Sequence, residues 1–549
     1  MNSDRRLFSL EGRSTWKIML LLLSLTILFG LVGCGPQPAA ESPAAEQPAA
    51  EAPVGEQPAA EAPAAYKETV IIGVSNDITT LDPQASNTDA NMMAFTLTHE
   101  TLVQIDPATG AIVPGLAESW EASEDGLTLT FAIAKDATFT DGSPCTANDV
   151  KFTYDRAKDS SFANAKVSDI SEITVLDDQH IQIVLKRPTQ EFLILLAHRG
   201  MSILSEKLVT ANPNEGPYVG TGMFSIKEWL PGDQISFNRY EAYRNGPAPT
   251  KTIVFKLYKE ASTRLIALQA GEIDVCIDPS TLDLTHIQGD DKLELISIPN
   301  VVMLYLAINN EKPGLDNVHV RKAIAYAFDK ASMVEAAFNG QALIHNNYIN
   351  AGQFGLKPDL ATYDYNIEKA KEELAASGFA AGELTFSVMV DKEYKKTTAL
   401  ILKESLAEIG IGLELEELET AALKGKLNDA ALDYELCLYQ WTDADGTDFT
   451  VRNMYGSSVK EGVLVKNGSN RANLKDETLN TMIDEALVEL DVAKREQMYF
   501  AIEEYLHEIV PIVPICTSFI NVGTQKGVSG AVWLPTAKHD YRLIVSPQP

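Results

Sequence analysis

Cysteine is scarce in this chain, with five in 549 residues. Cys145, Cys276, Cys437 and Cys516 stand far apart, and none forms a C-x-x-C pair, which excludes a disulfide-stapled scaffold and a local thiolate zinc site. Three of them sit beside aliphatic residues (Val275-Cys276-Ile277, Leu436-Cys437-Leu438, Ile515-Cys516), where a thiol behaves as a small hydrophobe, so buried free thiols are expected. Histidine is also rare, and its eight copies at 99, 180, 198, 286, 319, 345, 507 and 539 show no metal-ligand spacing. Basic residues are outnumbered, 45 Lys and Arg against 76 Asp and Glu, for a net charge of −31. Such a surface repels phosphate backbones and anionic headgroups, which argues against a nucleic-acid partner. The chain has no Gly-x-x-x-x-Gly-Lys-Ser/Thr loop, no His-Glu-x-x-His and no Gly-x-Ser-x-Gly, and Gly220-Thr221-Gly222 lacks the third glycine of a dinucleotide loop. These absences lead to the expectation of a non-enzymatic protein with no cofactor and no metal. Past the first residues, no apolar run is long enough to span a bilayer. The remaining composition, 45% hydrophobic and 8% aromatic, is that of a globular protein.

At the N-terminus, Arg5, Arg6, Arg13 and Lys17 precede an apolar run over 18–32, about 15 residues long and short of the roughly 20 that a span needs. It ends in Leu31-Val32-Gly33-Cys34, which resembles the bacterial lipobox. The segment 1–33 therefore reads as a lipoprotein signal peptide. The resemblance implies cleavage before Cys34 and lipidation of its thiol. Residues 34–65 form a Pro/Ala/Glu-rich tether, with Pro43, Pro48, Pro53, Pro58 and Pro63 at every fifth position and Glu41, Glu46, Glu51, Glu56 and Glu61 in the same step. With no aromatic residue and repelling carboxylates this stretch cannot bury a core, and its prolines favour an extended spacer.

The character changes at Tyr66. Thr69-Val70-Ile71-Ile72-Gly73-Val74 has the pattern of a buried strand, and 127–133 alternates as a half-buried one. Residues 174–176 and 180–185, separated by Asp177-Asp178-Gln179, predict a hairpin. Helices are expected after Asn317, with Val320, Ala323, Ile324, Ala327 and Phe328 on one face, and after Asn366, with Gly378 as its stop; two more are expected over 474–490 and 492–509, closed by Pro511. The fold class is α/β, or α+β, in more than one lobe. The acidic run Asp443-Ala444-Asp445-Gly446-Thr447-Asp448 is read as a solvated turn or a ligand-facing loop. A calcium loop is disfavoured because Trp441 and Arg452 would fall at its first and last ligand positions.

Several blocks in order carry a family resemblance. They are Leu81-Asp82-Pro83; Pro114-Gly115-Leu116-Ala117-Glu118-Ser119-Trp120-Glu121 with Asp125-Gly126-Leu127; Phe139-Thr140-Asp141-Gly142-Ser143-Pro144 through Thr146-Ala147-Asn148-Asp149-Val150; Gly220-Thr221-Gly222 with Glu228-Trp229 and Pro231-Gly232-Asp233; Ala261-Ser262-Thr263-Arg264; Gln269-Ala270-Gly271-Glu272-Ile273-Asp274; and Val320-Arg321-Lys322-Ala323-Ile324-Ala325-Tyr326-Ala327. Together they resemble the solute-binding proteins of the peptide/nickel-type ABC importers, bacterial solute-binding protein family 5. The resemblance implies a two-lobed, type II periplasmic-binding-protein fold with an inserted third domain. Its parts would be lobe I at 66–104, 201–282 and 519–549, the inserted domain at 105–200, and lobe II at 283–518. Two crossings between lobes, near 280 and 518, would act as a hinge.

The resemblance also implies a function and a site. The function is extracytoplasmic capture of a small solute, a short peptide in the first instance, by a monomer that delivers it to the permease of an ABC importer from a lipid-anchored position on the outer face or in the periplasm. In peptide-binding members the ligand backbone pairs with extended segments of both lobes, which match Ser86, Asn87 and Thr88 on one side and Tyr439, Gln440, Trp441 and Thr442 on the other. Phe162 falls near a position that closes over the ligand. Many peptide binders carry an aspartate three residues after the tryptophan, to pair with the peptide ammonium. Here that position is Ala444, flanked by Asp443 and Asp445. The alternatives are the same fold with an oligosaccharide, a nickel chelate or an opine as cargo, a tethered surface hydrolase, and a solute-sensing lipoprotein.

Overall fold

A computed structural model describes residues 66–548 apart from Asn87, 107–110, Gln190, Ala430, 443–445 and Glu461. The signal peptide, the lipobox with Cys34 and the tether lie outside the described residues. None of the described helices is long and apolar enough to cross a membrane.

Among the described residues the central element is a mixed sheet of eleven strands. Its order runs Gly412–Glu417, Thr385–Val390, Leu436–Trp441, Leu293–Ile308, Ile512–Gln525, Val275–Ile277, Thr69–Val74, Thr252–Leu257, Gln234–Arg239, Phe224–Leu230, with Ala342–Ile344 added to Ile512–Gln525. Parallel neighbours need a crossover, and the helix Glu393–Glu408 supplies it between Thr385–Val390 and Gly412–Glu417. Two long antiparallel strands, Leu293–Ile308 and Ile512–Gln525, run through both halves of the sheet. Their ladder breaks where Pro299 pairs with Phe519 and the next pair is Met303 with Thr517. Proline has no N–H to give to a ladder, and the extra residues form a bulge there.

Alternation along the first of these strands divides the core. Leu304, Leu306 and Ile308 pack with the helices Val318–Ala327, Ile367–Ser377 and Glu393–Glu408, while Met303, Tyr305 and Ala307 face Thr447–Met454, Glu477–Val488 and Val492–Ile509. The caps expected from the sequence form: Asn317 accepts from the His319 N–H (2.9 Å), Asn366 accepts from the Lys369 N–H (3.0 Å), and Gly378 takes φ +85°. The helices expected over 474–490 and 492–509 are Glu477–Val488 and Val492–Ile509.

A second sheet, of four antiparallel strands, has the order Ala117–Ala122, Thr128–Ile133, His180–Leu185, Ile170–Val175. The expected hairpin is part of it, and Asp177 Oδ1 accepts both the Gln179 and His180 N–H groups at 2.8 Å in the turn. The helix Ala147–Ala157 covers the sheet and starts at Thr146, whose N–H donates to Asp149 Oδ2 (2.8 Å). All four body cysteines are free and buried.

Candidate functional site

A cavity of about 450 Å³ opens among seven separate stretches of chain. One wall is the helix Asp89–Thr98, which presents Met92 and Thr96. Close approach of residues 220–222 sets that helix, because a Cβ at Gly220 or Gly222 would collide with the carbonyl oxygens of Thr98 and Leu97. Ile194, Ala197, His198 and Arg199 come from the apolar helix Phe192–Ala197 and the turn after it. The C-terminal stretch adds Val532, Leu534, Lys538, Asp540 and Arg542.

Val301, Gln353, Phe354, Gly446 and Thr447 supply the facing wall. The bulge in the long strand turns Val301 into the cavity, with its N–H donated to Pro535 O (3.0 Å). The loop carrying 351–354 is tied down by Glu503, whose buried carboxylate accepts from the backbone N–H groups of Tyr348 (2.8 Å), Ile349 (2.9 Å) and Lys357 (2.6 Å) and from Asn347 Nδ2 (2.8 Å). The volume suits a small ligand, and the lining is largely apolar with a few convergent polar groups.

Glu191 reaches across from the first wall to the second. Its Oε2 accepts the Asp448 N–H (2.9 Å), and its Oε1 lies 3.4 Å from Arg495 Nη2. Arg495 also donates to Asp448 Oδ1 (2.6 Å), which takes the Tyr499 hydroxyl as well. Burial drives the Asp448 carboxyl upward in pKa, against the pull of Arg495. The guanidinium is held charged by Asp448 and Glu191 despite its burial. Gly446 takes φ +102°, and a Cβ there would fall 2.5 Å from Glu191 Oε2, so the bridge needs glycine at this position. Beyond the bridge lies a second cavity of about 540 Å³, lined in part by Arg187, Phe449 and Arg452.

The C-terminal wall carries its own charges. Arg542 donates to both oxygens of Asp540 (2.6–3.0 Å) and to Gln104 Oε1 (3.2 Å). Burial works to raise the Asp540 carboxyl, and Arg542 overcomes it, leaving a net downward shift. His539 accepts the Leu534 N–H at Nδ1 (3.0 Å), and burial pulls its pKa down to about 4. Arg199 is lowered to about 10, first by burial and then by the charge of Arg542.

The residues expected from the sequence fall around this cavity in different ways. Ser86 is buried and accepts the Thr88 N–H (3.2 Å), and Thr88 precedes the helix Asp89–Thr98 and donates to Asn91 Oδ1 (2.6 Å). Phe162 is exposed. Tyr439, Gln440 and Trp441 lie on the strand Leu436–Trp441, with Tyr439 under Lys395 and Arg471, Gln440 accepting from the Tyr394 hydroxyl (2.9 Å), and Thr442 exposed just after it. None of these lines the 450 Å³ cavity. Trp441 is one link away: its Nε1 donates to Thr450 Oγ1 (3.3 Å), which is also bonded to Gln353 of the cavity wall. Asn87, Asp443 and Asp445 lie outside the described residues. Asp448, the end of the acidic run read as a solvated turn or a ligand-facing loop, is buried in the helix Thr447–Met454. Glu191, Arg199, Arg495 and Glu503 were not singled out by sequence. The available signal for Glu191 was a carboxylate immediately before the apolar run Phe192-Leu193-Ile194-Leu195-Leu196. Among the described residues no cluster of three or more His, Cys, Asp or Glu could hold a metal ion.

The model for bacterial extracellular solute-binding proteins, family 5 Middle, matches residues 111–462. The dipeptide-binding protein of Escherichia coli is 27% identical over 479 residues, covering 81% of this chain and 88% of that protein. Heme-binding protein A of Haemophilus influenzae is 26% identical over 469 residues, covering 80% and 84%. The solved structure of HbpA2 from Haemophilus parasuis superposes with a TM-score of 0.78 at 25% identity, over 88% of this chain and all of that one. The fold is therefore the two-lobed periplasmic-binding-protein fold, the protein is a binder and not an enzyme, and the chain belongs to the bacterial extracellular solute-binding proteins of family 5.

Proposed function

We propose that this extracytoplasmic protein captures a short peptide in the 450 Å³ cavity and delivers it, chemically unchanged, to the permease of an ABC importer. The observation that carries the reading is the cavity itself, built from stretches between residues 92 and 542 and bridged by Glu191. Closure about the paired long strands, at the break between residues 299–303 and 517–519, buries the solute, displaces water and strengthens each polar contact. The lobes are 66–104, 201–282 and 519–549 on one side and 283–518 on the other, with 105–200 as the inserted domain. Asp445, next to the cavity residue Gly446, is the candidate contact for a peptide ammonium, with Asp443 as the other choice. Lipid on Cys34 holds the monomer at the membrane. Support comes from the family membership, from relatives named for dipeptides, and from the lipobox-like run.

The test is mass spectrometry of the small molecules released on denaturing the purified full chain. A stoichiometric short peptide is the expected result. A heme, sugar or chelate in its place would retain the fold and replace the cargo. A compound that the protein converts on incubation would overturn the binding reading.

A further inference from the structure

One carboxylate stands between two cavities. Glu191 lines both the 450 Å³ cavity and the 540 Å³ cavity beyond it. Its backbone is fixed by the helix that follows, Phe192–Ala197, whose Phe192 and Leu196 are buried in the core that includes the four-stranded sheet. Its side chain crosses to the start of the helix Thr447–Met454, where Oε2 accepts the Asp448 N–H at 2.9 Å. The seam is closed. A Cβ added at Gly446 would lie 2.5 Å from Oε2, which leaves no room for a further atom between them. Thr447 borders the first cavity and Asp448 the second, so the wall meets the first turn of this helix.

The wall is separable from the charges behind it. Arg495 donates to Asp448 Oδ1 at 2.6 Å and lies farther, 3.4 Å, from Glu191, and Asp448 also takes the Tyr499 hydroxyl. Loss of the Glu191 carboxylate therefore leaves that cluster paired. The space beyond suits more of the same guest. Arg187, Phe449, Arg452 and Asn453 line it, and the buried Asp448 has an Oδ2 with no hydrogen-bond partner. A longer chain that reached this space would find a polar atom to pair with.

We propose that Glu191 sets the length of the cargo: it ends the room for solute at the 450 Å³ cavity and keeps the 540 Å³ cavity closed to it. The proposal rests on the reading of the first cavity as the cargo site and deepens it. Each residue added to an extended peptide advances it by about 3.3–3.6 Å, so a peptide that already fills the first cavity must displace Glu191 or stop. A wall discriminates by the collision it imposes on a guest one residue too long. Removal of the wall roughly doubles the room.

The experiment uses the purified full chain, stripped of solute, with alanine peptides from the dipeptide to the hexapeptide as probes in calorimetry. The unaltered protein is expected to lose affinity by at least about tenfold at one step of that series. Glu191→Ala should flatten the step to less than about threefold. Glu191→Gln keeps the volume and an oxygen for the Asp448 N–H, so it should restore most of the step, which a role through charge alone would not allow. Phe449→Ala widens the second cavity with the wall in place and should leave the step where it is. The readout is a ratio between peptides, so a general loss of affinity does not move it, and melting temperatures report whether the variants fold. A step that survives Glu191→Ala overturns the proposal. So does its loss in Phe449→Ala, equal binding of all the peptides by the unaltered protein, or a folded Glu191→Ala protein that binds none of them. In each of these the first cavity still stands as the cargo site. If no alanine peptide binds the unaltered protein, mass spectrometry of co-purified solute decides. Solutes of greater mass in Glu191→Ala than in the unaltered protein support the wall for a cargo other than peptide, and the same solutes in both overturn it. If neither protein holds a solute, the wall and the cargo site fall together.

Discussion

Two groups of buried charge border the same cavity, and they are built on opposite terms. In the bridge, Glu191, Asp448, Arg495 and Tyr499 answer one another, with side chains of Glu191, Arg495 and Asp448 only 5–6% exposed. Farther along the same stretch as Glu191, Arg199 forms no ion pair among the described residues, its Nη1 is without a hydrogen-bond partner, and Asp540 and Glu100 act on it only at longer range. A complete cluster holds two walls together and offers little to a solute. An incomplete one leaves a polar group of the cavity wall without a fixed partner.

The most disruptive way to break the contrast is Arg495→Ala, which leaves Asp448 and Glu191 buried without their cation. A loss of about 3–5 kcal/mol in unfolding free energy is expected by denaturant titration, because removing one partner strands the others. Acid tests the C-terminal wall next. The folded protein keeps His539 neutral down to about pH 4, whereas the unfolded chain protonates it near 6.5. Unfolding therefore takes up a proton in this window, and stability falls as pH drops from about 6.5 to about 4, by up to about 3 kcal/mol from this residue. The difference in melting temperature between pH 7 and pH 4.5 should shrink in His539→Gln. Gly446→Ala should cost about 1–3 kcal/mol, from the positive φ and the collision with Glu191, and should weaken solute binding with it. Arg199→Gln should change stability least, within about 1 kcal/mol, since the side chain is only partly buried and forms no ion pair among the described residues. A loss as large as that of Arg495→Ala would erase the distinction between the two clusters.

Much of the scaffold was legible in the sequence because its signals are local. Thr146 with Asp149, Asn317, Asn366 and Gly378 each act within a turn of their own helix, and alternation over 127–133 and 180–185 needs only its neighbours. The family blocks encode turns and close approaches of the same kind, as Asp141 accepting the Ser143 N–H (2.9 Å) shows. The walls of the cavity were less legible. Glu191 and Asp448 are 257 positions apart in sequence, and Arg199 and Lys538 line one cavity only after the C-terminal stretch folds back. No spacing rule links such residues. Asp448 illustrates the difficulty, since in a run of carboxylates it looks solvated, and only Arg495 and Tyr499, far downstream, make its burial tolerable. The extended segment expected over 439–442 is a strand as far as Trp441, yet Trp441 reaches the cavity wall through Thr450 and not directly.

The account stands on one cavity that holds one small solute and returns it intact. The direct measurement is calorimetric rebinding of the recovered solute to the stripped full chain, followed by mass spectrometry of the bound and free fractions. One solute per chain, saturable and of unchanged mass, is the result the account predicts. Absence of saturable binding, or a change in the solute's mass, would contradict it.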